Sequence, residues 1–139
     1  MNFGKKVFLF CVGGAGYVGL ELLWRGWSHI SMFLAGGTCF LLLGGLRNRL
    51  RTMPIALRGV LCSGIITAVE LTAGLVFNRS YQVWDYRALP LNLGGQICLP
   101  FSLFWIPLGL GAMELYAAVD QSVSKILSSL SSSSFRRPA

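Results

Sequence analysis

The sequence predicts an all-α fold: an integral membrane four-helix bundle with a kinked fourth helix and a structured outer loop between helices three and four. Charged residues make up only 12% of the chain, about half the roughly 25% of an ordinary soluble domain. Four apolar stretches recur along it, at residues 7–24, 30–46, 59–78 and 97–113. Each is close to the roughly 17–25 residues of a membrane-spanning helix. A soluble fold would have to bury all four, which leaves too few polar residues for its surface.

Most Lys and Arg residues lie on one side of the predicted membrane. Eight share the side of the two termini: Lys5, Lys6, Arg47, Arg49, Arg51, Lys125, Arg136 and Arg137. Three lie on the other side: Arg25, Arg79 and Arg87. Because cytoplasmic loops carry an excess of Lys and Arg, both termini are predicted in the cytoplasm and the long loop between helices three and four outside. This distribution forms no basic face for nucleic acid, so the expected surroundings are the lipid bilayer.

The first helix is predicted to be a membrane span that is not removed as a signal peptide. It carries Glu21. Fourteen residues separate Val7 from Glu21, which places the carboxylate roughly 21 Å along the helix, in the outer half of the bilayer. Arg25 follows at i+4, on the same helical face, so an ion pair within one turn is available. The pair either ends the helix at the interface or forms half of a polar site, and its position favours the interfacial role.

Glu70 lies at nearly the same depth on the third helix. Fifteen residues from Ile55 place it roughly 22 Å along that helix. A charge near the middle of the bilayer costs about 2.5–3.5 kcal/mol, so Glu70 is expected to face protein or water. Two carboxylates at one depth predict a polar site. The sequence leaves open whether one of them is protonated or whether Arg25 or Arg79 lies between them.

The long loop, residues 78–95, is longer than an antiparallel helix pair requires. Its polar and aromatic residues include Trp84, Asp85, Tyr86 and Asn92. One interpretation is a solvated linker with an aromatic belt. The other is a lid over the outer end of the bundle, which brings Asp85 and Asn92 close to Glu21 and Glu70.

The fourth helix is predicted to begin at Gln96 or Ile97 and to kink at Pro107, since proline removes a backbone donor inside a helix. Near its cytoplasmic end Glu114 is expected to pair with Arg58, with Arg47 as the alternative. The predicted four-span domain covers residues 1–118. Residues 119–139 are expected to form a Ser-rich cytoplasmic tail, first amphipathic on the membrane surface and then disordered.

No metal site, cofactor site or catalytic residue is predicted. The chain has one histidine, His29, at the outer interface, and four cysteines with no close pair. It contains neither a His-Glu-x-x-His nor a Cys-x-x-Cys spacing. We therefore expect a protein that is not an enzyme.

Residues before the long loop, in it and at the start of the fourth helix resemble the signature of the Putative ABC-transporter type IV permease family of bacterial membrane proteins. The specific part comprises Trp84, Asp85, Tyr86, Asn92, Gly95, Ile97, Cys98, Leu99, Ser102 and Trp105, and matches before it are Tyr17, Glu21, Glu70, Leu71 and Gly74. The resemblance implies a multi-pass transport protein of the bacterial cytoplasmic membrane. Since the chain has no P-loop, ATP hydrolysis would require a separate nucleotide-binding subunit. Four helices are few for a translocation path, so transport would require a homo-oligomer.

Two functions therefore stand. The first is a permease-like transport component with a polar pocket near the outer surface. Its predicted substrate-binding residues are Glu21, Arg25, Glu70, Trp84, Asp85, Tyr86 and Asn92. The alternative is a non-transporting membrane protein that binds a lipid headgroup or a partner protein through the outward loop. A water-filled path towards the cytoplasm would favour the first function, and a cavity open sideways to lipid would favour the second.

Overall fold

Four long helices dominate the computed structural model, which describes residues 2–136. They are α1 (Phe3–Arg25), α2 (Ile30–Leu50), α3 (Ile55–Phe77) and α4 (Leu99–Ser134). Each is long and apolar enough to cross a membrane, which confirms the predicted four-helix architecture. The end of the bundle that carries the long loop is called the loop end, and the opposite end, where α2 meets α3, is called the tail end.

A small β-hairpin interrupts the long loop, which occupies residues 78–98. Strand β1 (Asn92–Leu93) pairs antiparallel with β2 (Ile97–Cys98). Gly94 and Gly95, at φ of +58° and +69°, form the turn between them, a left-handed conformation that glycine adopts without steric cost. Because these residues form a hairpin, α4 begins at Leu99, two or three residues later than predicted.

Glycines let α1 and α2 pack closely. A Cβ atom at Gly14 would lie 2.7 Å from the Phe33 carbonyl oxygen, and one at Gly37 would lie 2.7 Å from that of Phe10. Both distances are too short for a real Cβ, so only glycine permits this approach. The absence of side chains at these positions therefore sets the spacing of the first helical hairpin.

Helices α3 and α4 pack through a mixed apolar and hydroxyl-rich face. Ser63 donates through Oγ to the Ser102 carbonyl at 2.5 Å, and the hydroxyls of Thr67 and Ser102 are 2.9 Å apart. Side-chain hydroxyls of this kind bind helices together inside a membrane. Pro107 lies within α4. The kink there and the cytoplasmic location of both termini stay predictions.

The structure corrects two expectations at the tail end. Glu114 pairs with Arg47 at 3.1 Å, whereas the Arg58 guanidinium donates to the Arg51 carbonyl at 3.5 Å, so the expected Arg58–Glu114 pair is wrong. Arg47 reaches Glu114 because α2 packs on α4 here, with Gly44 against the Tyr116 ring.

The second correction concerns the tail. Helix α4 continues to Ser134, so part of the segment that we expected to be disordered is helical. Lys5 ties this extension to α1, since its Nζ lies 2.7 Å from Asp120 Oδ1 and 2.6 Å from Ser124 Oγ. Residues 137–139 of the predicted tail, including Arg137, lie outside the described residues, and the division at residue 118 stays a prediction.

Candidate functional site

Glu70 is the central polar residue of the loop end. It lies on α3 and is only 7% exposed. The Tyr86 hydroxyl donates to its Oε1 at 2.6 Å, and the Trp105 indole N–H donates to its Oε2 at 3.2 Å. The carboxylate thus joins α3, the long loop and α4, with one neutral donor on each oxygen.

A buried amide pair holds the long loop over Glu70. Asn78 accepts from the backbone N–H groups of Val83 and Trp84 at 2.8 and 3.2 Å and donates to the Trp84 carbonyl at 2.6 Å. Its amide also donates to Gln96 Oε1 at 3.1 Å, and Gln96 returns a bond to the Asn78 carbonyl at 2.9 Å. This pair was not predicted from the sequence. The sequence feature that could have predicted the pair is an amide residue near each end of the long loop: Asn78 just after α3 and Gln96 shortly before α4.

Tyr86 is fixed as a donor by its surroundings. Its ring stacks on Phe101 with the centroids 4.8 Å apart. Burial raises the pKa of the Tyr86 hydroxyl well above its usual range, and the nearby charge of Glu70 raises it further. The hydroxyl therefore stays protonated and keeps its bond to the carboxylate.

Glu21 and Arg25 form the predicted ion pair within α1. Arg25 also donates through Nη1 to the Val83 carbonyl at 2.5 Å, and its guanidinium carbon lies 4.1 Å from the centre of the Trp27 ring. Arg25 thus neutralises Glu21 and fastens α1 to the long loop. The interfacial role that the sequence favoured for this pair stays a prediction.

Tyr17 links the two carboxylates. It interacts electrostatically with both Glu21 and Glu70, and its ring centre is 6.1 Å from that of Trp105. Glu21 and Glu70 also interact with each other. Glu21, Glu70 and Arg25 thus lie in one region beneath the long loop, and their role in binding a substrate stays a prediction.

A cavity of about 420 Å³ extends from Glu70 into the bundle and is lined by all four helices. Its polar lining groups include Glu70, Tyr17 and the indoles of Trp84 and Trp105, and the other walls are largely apolar. Some lining residues are exposed on the bundle surface: Gly16 and Leu20 of α1, and Gly111 and Leu115 of α4. The cavity therefore opens sideways, between α1 and α4.

Two predicted site residues lie elsewhere. Asp85 is bound to Arg87, whose Nε and Nη2 lie 2.9 and 2.8 Å from its carboxylate oxygens, and this bond lowers the Asp85 pKa. Asn92 donates to the Leu89 carbonyl at 2.9 Å and accepts from Gly95 N–H at 3.0 Å. Because both side chains are used by near neighbours in sequence, the expectation that either shares the pocket with Glu70 is wrong.

The remaining predicted residues divide into two groups. Glu70 and Trp84 line the cavity, and Tyr86 reaches it through its bond to Glu70. Glu21 and Arg25 lie beside it without lining it. Within residues 2–136, no three His, Cys, Asp or Glu side chains are grouped as a metal site requires.

Comparison with known proteins identifies the family. No curated protein and no solved structure matches this chain. A family model described as "Putative ABC-transporter type IV" matches residues 9–135, which include the cavity, the long loop and nearly all of the four helices. The chain therefore belongs to this family of ABC-transporter-related membrane proteins.

Proposed function

We propose that this chain is a permease-like membrane subunit that receives a mostly apolar molecule from the bilayer into the cavity beneath the long loop. Membership in an ABC-transporter family supports a role in transport. The observation that carries the proposal is the cavity itself. Its volume of about 420 Å³ is typical of small-molecule sites, which also combine apolar walls with a few polar groups.

The bilayer is the most accessible route into the cavity. At the loop end, Trp84 covers it, and the Asn78–Gln96 pair holds this loop in place. Towards the tail end, Leu9, Phe40 and Tyr116 pack together. The exposed lining residues lie on α1 and α4, at the lipid-facing surface of a membrane bundle. Lipid tails are as apolar as these walls, so shape and the polar groups at Glu70 must supply selectivity.

The proposal implies further subunits. Without a P-loop of its own, the chain requires a separate nucleotide-binding subunit for ATP-driven transport. Four helices are few for a translocation path, so a complete path requires a second copy. We place this assembly in the bacterial cytoplasmic membrane with both termini in the cytoplasm, and we assign the chain no catalysis, metal or cofactor.

A second candidate function is a non-transporting membrane protein that binds a partner protein or lipid headgroup through the long loop. Its support is the exposed hairpin surface, where Leu91 and Leu93 are solvent-accessible beside the Asp85–Arg87 pair. The sideways opening of the cavity, which suits lipid capture without transport, also favours this alternative.

Tryptophan fluorescence in proteoliposomes tests entry into the cavity. Trp24 and Trp27 are exposed and are replaced by Phe, which leaves the two cavity tryptophans, Trp84 and Trp105. Lipids with brominated acyl chains should quench their emission. Gly111→Phe should reduce this quenching, because Gly111 lines the cavity and faces open space.

Gly64→Phe is the matched control, since Gly64 also faces open space but does not line the cavity. It should leave the quenching unchanged. Equal quenching in both variants, or none in the parent protein, would contradict lateral entry.

A further inference from the structure

We infer that the cavity binds an organic cation: an amphiphile whose ammonium group lies against Glu70 and whose apolar body fills the rest of the cavity. This inference rests on the proposed function, because it names the class of molecule that enters. It depends on three observations: Glu70 has no cationic neighbour paired with it, its oxygens keep free acceptor positions, and aromatic rings surround it.

Glu70 has no cationic partner inside the described protein. Among residues 2–136, no Lys, Arg or His side chain forms an ion pair with it. Its two hydrogen-bond donors, Tyr86 and Trp105, are neutral, and the charged residue that interacts with it, Glu21, has the same sign. A charge at this depth costs about 2.5–3.5 kcal/mol, and a bound cation would offset that cost.

Glu70 also keeps free acceptor positions. An ionised carboxylate has about four lone-pair sites on its two oxygens. Tyr86 and Trp105 occupy one site on each oxygen, and they orient the group at the edge of the cavity. A cationic group can therefore approach the remaining positions on the two oxygens without displacing either aromatic partner.

Aromatic rings complete a cation site. Tyr17, Trp84 and Trp105 line the cavity together with Glu70. The faces of such rings attract ammonium groups, and cages of this kind recognise quaternary ammonium ligands. The remaining walls are apolar and extend along the helices as far as Leu115, which suits an alkyl chain.

Glu21 shows why the site is at Glu70 and not at the neighbouring carboxylate. Both lie at the loop end, but Glu21 is already paired with Arg25, and it does not line the cavity. A cation entering between α1 and α4 therefore meets one uncompensated carboxylate.

The test compares octyltrimethylammonium with 2,2-dimethyldecane, its neutral isostere in which carbon replaces the nitrogen. Binding is followed by the fluorescence of Trp84 and Trp105 in proteoliposomes, in the background that lacks Trp24 and Trp27. The ammonium should bind at least about tenfold more tightly than the isostere, a ratio that corresponds to roughly 1.4 kcal/mol.

Glu70→Gln should abolish this preference, whereas Glu114→Gln should retain it, because Glu114 is exposed and does not line the cavity. Gln preserves the shape of Glu70 and can still bond to Tyr86 and Trp105. A second pair of variants tests the rings independently: Tyr17→Leu should weaken ammonium binding severalfold, and Tyr17→Phe should not.

Equal binding of the two probes, or an unchanged preference in Glu70→Gln, would overturn the inference. If brominated lipids still quench the cavity tryptophans in that case, the proposed entry of apolar molecules stands and only the cation class fails. If they do not quench, the proposed function fails first.

Discussion

At the scale of single residues, two buried polar side chains hold the long loop on the bundle. Glu70 accepts a hydrogen bond from the Tyr86 hydroxyl of the loop. Asn78 forms hydrogen bonds with backbone groups of Val83 and Trp84. A buried polar group without a hydrogen-bond partner destabilises the fold by more than a typical hydrogen bond stabilises it. The loop is therefore fixed by a few bonds whose removal leaves several partners unsatisfied.

Replacement of Asn78 by Ala should destabilise the protein by more than about 2 kcal/mol, because buried N–H and carbonyl groups lose their partners. Unfolding in detergent measures the loss, and hydrogen exchange at the Val83 and Trp84 amides should accelerate. Asn48→Ala is the control, because the Asn48 side chain is exposed on α2 and its removal leaves no buried group without a partner. Equal losses in the two variants would argue against a structural role for the Asn78 network.

The polar site was predictable to the extent that distance along a helix sets depth. Glu21, Arg25 and Glu70 were expected at one level for this reason. The partners of Asp85 and Asn92 were not predictable in the same way. The hydrogen-bond partner of a short side chain depends on the conformation of the turn that carries it. Arg47 replaced Arg58 as the partner of Glu114 because the rotation of each helix about its axis depends on packing, which spacing alone does not determine.

At the scale of helices and strands, glycine positions determine which faces meet. Gly14 and Gly37 lie at the contact between α1 and α2, whereas Gly45 and Gly64 face open space. The helices themselves follow from long apolar runs, which the bilayer requires. The β-hairpin escaped prediction because strands of two residues carry no alternation of polar and apolar side chains.

We expect Gly37→Ala to weaken the α1–α2 contact, because the added Cβ would lie 2.7 Å from the Phe10 carbonyl oxygen and the helices must separate. Gly45→Ala has free space around it and should be neutral or stabilising by up to about 1 kcal/mol, the difference in helix propensity. Thermal unfolding of both variants in the same detergent compares them. A more stable Gly37→Ala protein would show that close approach of the helices is not needed.

At the scale of the whole molecule, the bundle combines a loop end covered by Trp84, a tail end packed by Leu9 and Tyr116, and a side opening between α1 and α4. The cavity is therefore more accessible from the bilayer than from the water on either side. The excess of Lys and Arg on the side of the termini predicts the orientation in that bilayer.

Labelling of single cysteines tests the orientation. The four native cysteines are first replaced by Ala, and Ser80→Cys or Ser131→Cys is introduced at an exposed position. A membrane-impermeant maleimide applied to intact cells should label position 80 and spare position 131, because the positive-inside rule places the termini in the cytoplasm. The reverse pattern would invert the proposed topology.

The most direct test of the account is photolabelling from the bilayer with a lipid that carries a diazirine in its acyl chain, followed by peptide mapping. Leu43 and Met113 are equally buried, each 1% exposed, but only Leu43 lines the cavity. If the cavity admits acyl chains between α1 and α4, Leu43 and Trp105 should be labelled while Met113 is not. Labelling confined to lipid-facing residues such as Leu23 and Phe104, with none at Leu43 or Trp105, would contradict the account.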